Sequence, residues 1–138
     1  MKLDYAFDFN STLAGMQVFG GICAALAGTF LLVNGGTGLP LGIGVLLFVV
    51  GMWNMKHQPV RLYQDHLELK LAPAAGLKMI RYRDLVRMEG DSDKVRDLFF
   101  MDGGKEKKLK LRLDVINAED RPRLIEVLHQ KIQANTRT

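Results

Sequence analysis

Leu13 to Val33 reads LAGMQVFGGICAALAGTFLLV, and no Asp, Glu, Lys or Arg occurs anywhere from Leu13 to Met55. At about 1.5 Å per residue, a helix over this first run reaches roughly 31 Å, the thickness of a bilayer's hydrocarbon core. Asn10, Ser11 and Thr12 precede it and are natural N-caps. The run Asn34-Gly35-Gly36-Thr37-Gly38 then breaks the helix as a tight turn, and Pro40 suits the first turn of a second helix. That helix, LPLGIGVLLFVVGMWNM from Leu39 to Met55, is somewhat short, has room to continue through Lys56 to Gln58, and is stopped by Pro59. The pair predicts a membrane α-hairpin with two transmembrane helices, spanning about residues 13–33 and 39–56. The segment before it carries Lys2 but also Asp4 and Asp8, so it lacks the basic start of a cleaved signal. Both runs are expected to be retained anchors.

Charge divides the chain in two. All but one (Lys2) of the 19 Lys and Arg residues, and all but two (Asp4 and Asp8) of the 15 Asp and Glu residues, lie from Lys56 onward. The flanks holding both termini offer Lys2, Lys56, Arg61 and Lys70, and the turn between the helices offers no cation. The positive-inside rule therefore predicts a multi-pass protein of the inner (cell) membrane with both termini cytoplasmic. Trp53 is placed as an interface anchor, matched on the same side by Tyr5, Phe7 and Phe9. The lone cysteine, Cys23, rules out a disulfide within one chain and is expected as a small buried apolar side chain.

Small residues mark the helix faces. Gly20, Ala24 and Gly28 recur every four residues on the first helix, and Gly44 and Gly51 share a face of the second. Such stripes let helix backbones approach closely, either within the hairpin or against another subunit. Gln17, about one turn into the first span, is placed to reach headgroups or to bond a neighbouring helix.

After Pro59 the period changes from helical to alternating. Val60 to Gln64, Leu67 to Leu71, Leu77 to Tyr82, Leu85 to Glu89, Val95 to Met101 and Lys107 to Leu113 read as strands. Asp102-Gly103-Gly104 reads as a hairpin turn. A helix closes the chain, with Asn117 or Asp120 as N-cap. Asp120 is preferred because it puts Pro122 in the first turn, where the missing N–H is unpaired anyway. Leu124, Leu128 and Ile132 give that helix an apolar face to cover the sheet.

The expectation is a small α+β domain of about six antiparallel strands closed by a C-terminal helix. The boundaries are 1–58 for a short N-terminal segment and the hairpin, and 59–138 for a cytoplasmic β domain. Two transmembrane helices followed by PVRLYQDHLEL (59–69), then IRYRDLVRMEG (80–90), then strands and a final helix resemble the bacterial membrane proteins that carry a C-terminal PH-like (pleckstrin-homology-like) domain. Asp84-Leu85-Val86 matches the acidic residue and aliphatic pair found there. The resemblance covers roughly Pro59 to Ala134. It implies a binding or assembly role, and the alternating YAFDFN segment is available to complete a seven-stranded PH barrel.

The remaining chemistry is sparse. His57, His66 and His129 lack ligand spacing and are expected at surfaces or interfaces. Asp91, Asp93, Asp97 and Asp102 fall at positions 1, 3, 7 and 12 of a calcium loop, but Val95 and Arg96 occupy the ligand and sharp-turn positions. No phosphate loop and no nucleophile arrangement is present, so no enzyme activity, cofactor, metal or small-molecule substrate is expected. The cations Lys105, Lys107, Lys108, Lys110 and Arg112, with Lys78, Arg81 and Arg83, are candidates for contact with anionic headgroups or a partner. Their number is moderate, and Phe99 and Phe100 adjoin each other rather than being spaced among them, which argues against nucleic acid. The expected partners are membrane lipid and an integral membrane protein or further copies of this chain. The expected function is a non-enzymatic accessory or assembly subunit. The alternative is a membrane-tethered module that senses anionic headgroups through a basic sheet face.

Overall fold

The structure, a computed structural model, describes residues 2–72 and 74–137. It divides into two compact units, Phe9–His57 and Met1–Asp8 joined with Gln58–Thr138.

The first unit is a helical hairpin, α1 (Ser11–Val33) and α2 (Leu39–Lys56). Both helices are long and apolar enough to cross a membrane. Asn10 caps α1, its side-chain oxygen accepting from Thr12 N and Leu13 N at 3.1 and 3.3 Å. At the far end the Gly36 amide donates to Leu31 O at 2.7 Å, and Gly35 takes the left-handed φ of +77° that ends the helix. Pro40 lies in the first turn of α2. Little of either span is buried. Phe19, Leu26, Phe30, Val33, Leu39 and Leu46 are all exposed, an apolar surface far larger than a water-soluble monomer tolerates. Cys23 is exposed on this outer surface rather than buried.

Among the described residues, the second unit is built from seven strands and one α-helix. β1 (Leu3–Phe7), β2 (Val60–Tyr63), β3 (His66–Leu69) and β4 (Lys78–Arg81) form one antiparallel sheet in that order. β5 (Leu85–Glu89), β6 (Val95–Asp102) and β7 (Lys105–Arg112) form a second. The expectation of one sheet of about six strands is thus corrected to two sheets, of four and three strands. A 3-10 turn at Tyr82–Asp84 separates β4 from β5, and no ladder joins them. The extra strand comes from the N-terminus. β1 pairs with β2, Phe7 opposite Val60 and Ala6 opposite Arg61, so the segment before the hairpin belongs to the β unit and the boundary at residue 58 is corrected accordingly. The helical hairpin is therefore an insertion between two paired strands.

Period-two alternation builds the core. Val60 and Leu62 face Leu69 and Leu67 in register, and Leu67 faces Ile80. All five are buried. β6 and β7 meet through Leu98 opposite Leu109, joined by Gly103 and Gly104, whose φ values of +60° and +80° suit a tight two-residue turn. α3 (Arg121–Thr136) starts after Asp120 and packs on β5 and the Tyr82–Asp84 turn, burying Leu124, Leu128 and Ile132. The cap differs in one detail: the Asp120 side chain makes no capping hydrogen bond.

Candidate functional site

Two surfaces collect the candidate residues, one in each unit. In the hairpin, the buried residues of α1 are Ala14, Gly21 and Gly28, and those of α2 are Gly44, Gly51 and Asn54. A Cβ added at Gly21 would lie 2.6 Å from Phe48 N, at Gly28 2.6 Å from Leu41 Cα, at Gly44 2.8 Å from Ala25 Cα, and at Gly51 2.8 Å from Val18 N. These glycines let the two backbones touch. Gly28, Gly44 and Gly51 lie in this seam and Ala24 is half-buried, but Gly20 does not belong to it, because nothing lies within 4 Å of a Cβ placed there. Its place is taken by Gly21. The spacing that matches the partner helix is seven residues, Gly21 to Gly28 against Gly44 to Gly51, the repeat of two helices that wrap one another.

One polar contact sits in the seam. Asn54 Nδ2 donates to Gln17 Oε1 at 2.7 Å, and Asn54 is only 3% exposed. Its Oδ1 has no partner among the described residues. Sequence reasoning marked Gln17 but passed over Asn54. The only signal was a second amide on the other helix, at the depth that an antiparallel hairpin brings level with the first.

Beside the seam a groove of about 250 Å³ is floored by Gly21, Ala25 and Gly44 and walled by Leu26, Val45 and Phe48. The aromatic residues expected at the interface divide. Trp53 stacks on His57 at 4.1 Å. Phe7 is instead a core residue of the β unit, 3% exposed, and Tyr5 lies in β1 beneath the Arg123 guanidinium at 4.4 Å.

The eight candidate cations of the β unit do not share one face. Lys78 and Arg81 belong to the first sheet, and Arg83 to the turn after it. On β7, Lys108, Lys110 and Arg112 project to one side, while Lys105 and Lys107 have the opposite parity. Several are already paired. Lys107 Nζ meets Asp102 Oδ2 at 2.5 Å, Lys108 Nζ meets Asp97 Oδ2 at 2.8 Å, and Arg112 grips Asp114 through two bonds of 2.6 and 3.1 Å. Arg87 binds Glu89 and Glu106, each at 2.6 Å, over the Phe99 ring. Hydrogen bonds from these partners hold the Asp102 and Asp114 carboxyls below their ordinary range. The outer sheet face is thus a lattice of alternating charge. Of the eight, Lys78, Arg81, Lys105 and Lys110 have no ion-pair partner among the described residues. Asp97 and Asp102, two of the four spaced like a calcium loop, lie on β6 in these pairs.

His66 departs from expectation. It is 1% exposed, stacked on Tyr63 at 4.6 Å, with Nδ1 2.6 Å from Asp65 Oδ1. Its Nε2 has no hydrogen-bond partner among the described residues. It sits in the core because its position alternates with Leu67 in a strand that is buried on both faces there. No group of three or more metal-binding side chains occurs among the described residues.

The chain matches no family model, no curated protein and no solved structure, so the geometry of its own residues carries the functional argument.

Proposed function

We propose that the chain is a non-enzymatic accessory or assembly subunit of a bacterial inner-membrane complex, crossing the membrane twice with both termini and the β unit in the cytoplasm. The exposed apolar flanks of α1 and α2 support the crossing, and the basic flanks around an uncharged turn support the orientation. Seven strands closed by a C-terminal helix fit the resemblance to PH-like domains, with β1 supplying the seventh strand. The observation that favours assembly is the groove beside the glycine seam. Gly21 and Gly44 at its base are buried against the facing helix, and its exposed rim of Ile22, Leu26, Thr29 and Val45 leaves an apolar channel against which a third helix can pack.

The test is native purification in mild detergent combined with photo-crosslinkers at Leu26 and Val45, on the rim of the groove. A defined larger complex or oligomer, with crosslinks from both positions to the same species, is expected. A clean monomer without crosslinked protein refutes the proposal. The headgroup-sensing alternative finds less support on the outer sheet face, where acidic neighbours already bind Lys108 and Arg112.

A further inference from the structure

Away from that sheet face, an open notch of about 460 Å³ lies between the β2–β3 turn, the Tyr82–Asp84 turn and the last two turns of α3. Its walls carry Arg81, Arg83 and Lys131, with Gln64 and Asn135 as amides and Asp65 as the single carboxylate. Three cations against one carboxylate make it a concave site with a cationic excess. Arg81 has no ion-pair partner among the described residues, and Arg83 reaches Asp84 only loosely, at 3.8 Å.

The frame is built rather than incidental. Tyr82 N donates to Asp65 O at 3.0 Å, tying the β2–β3 turn to the corner between the sheets. The Asn135 amide donates to Tyr82 O and pins the end of α3 to the same corner. Lys131 lies over the Tyr82 ring at 4.7 Å, which fixes the direction of its stem. His66 Nδ1 engages Asp65 Oδ1 at 2.6 Å and takes up part of the one opposing charge. The carbonyls at the end of α3 add about half a negative charge, too little to offset the cations.

We propose that this notch binds a phosphate group, two guanidiniums and an ammonium gripping its oxygens. Guanidinium forks suit a tetrahedral oxyanion because each presents parallel N–H donors. The phosphate belongs either to a lipid headgroup or to a soluble molecule, and the chemistry of the grip is the same for both. The site is independent of whatever partner the hairpin takes.

The experiment uses the full chain with labelled arginine, following the Nε–H signals of Arg81 and Arg83. One arm titrates inorganic phosphate into protein in an uncharged detergent at constant ionic strength. The other raises phosphatidic acid in phosphatidylcholine nanodiscs. Saturable shifts of both signals in the first arm identify a soluble ligand, and saturation in the second arm alone identifies the headgroup. The paired substitution Arg83→Gln with Lys131→Gln is expected to raise half-saturation of the Arg81 signal by tenfold or more, each lost charge-assisted contact being worth about tenfold. Lys105→Gln with Lys110→Gln removes the same charge elsewhere and is expected to change it less than about threefold, as screening dictates. No saturable shift in either arm, or equal weakening by the two pairs, overturns the proposal.

Discussion

Adding one methyl group to the seam of the hairpin separates its packing from its helix propensity. In Gly44→Ala the new Cβ falls 2.8 Å from Ala25 Cα and 2.7 Å from Gly21 O, all backbone that has no rotamer to yield. Carbon atoms settle at about 3.5–4.0 Å, so the helices must part by about 1 Å, which forfeits a quarter to a half of each contact along the seam. Overpacking of this kind costs about 1–3 kcal/mol, and the better helix propensity of alanine returns at most about 1 kcal/mol. A net loss of about 1–2 kcal/mol is expected. Gly20→Ala supplies the control, because its Cβ meets nothing within 4 Å; it is expected to be neutral or slightly stabilising. Trp53, the only tryptophan, lies in α2 and reports on the hairpin. Its fluorescence during unfolding by SDS in mixed micelles gives the two midpoints. If Gly20→Ala lowers the midpoint as much as Gly44→Ala does, the seam has been misplaced and the reasoning fails.

Three further outcomes follow from the same geometry. A double-mutant cycle of Gln17→Leu and Asn54→Leu in the same micelle assay is expected to give a coupling of about 0.6 kcal/mol and no more than about 1.7, the range for hydrogen bonds between membrane helices; zero coupling means the 2.7 Å bond is not formed. Phe7→Ala, which empties a buried position on β1, is expected to cost the β unit about 3–5 kcal/mol by thermal circular dichroism; a loss under 1 kcal/mol would detach β1 from the sheet. Hydrogen bonding to Arg112 depresses the Asp114 carboxyl below its ordinary value of 3.8, so its contribution is complete above that value and lost as pH falls through the depressed one. For so exposed a pair this amounts to about 0.2–1 kcal/mol, and Arg112→Gln is expected to lower the melting temperature at pH 7 while narrowing the gap to wild type below pH 4. An unchanged gap across that range would assign the acid sensitivity to other groups.

Local signals made most elements legible. The alternation of Leu67 with Leu69, and of Leu109 with Leu111, depends only on strand period and burial, and the turn at Gly103-Gly104 on backbone freedom. What escaped is non-local. β1 reads as an alternating segment, but its pairing with β2 crosses the whole helical hairpin, and nothing in either strand names the other. The 3-10 turn at Tyr82–Asp84 splits the sheet through ladder hydrogen bonds that side-chain pattern does not encode. Gly21 was overlooked because a four-residue repeat selects one face of an isolated helix, whereas two wrapped helices follow a seven-residue repeat. The cation cluster was legible as composition only. Register sets Lys107 and Lys108 opposite Phe100 and Phe99, from where they reach Asp102 and Asp97 diagonally, and only the fold brings Lys131, fifty residues away in the chain, beside Arg81.

The central claim is a two-span hairpin whose turn and β unit lie on opposite sides of the membrane. With Cys23 replaced by alanine, Thr37→Cys in the turn and Lys105→Cys at the start of β7 are treated with a membrane-impermeant maleimide in intact cells. Labelling of the Thr37→Cys protein at once, and of the Lys105→Cys protein only after lysis, is the predicted result. Both labelled in intact cells, or the reverse order, would contradict it.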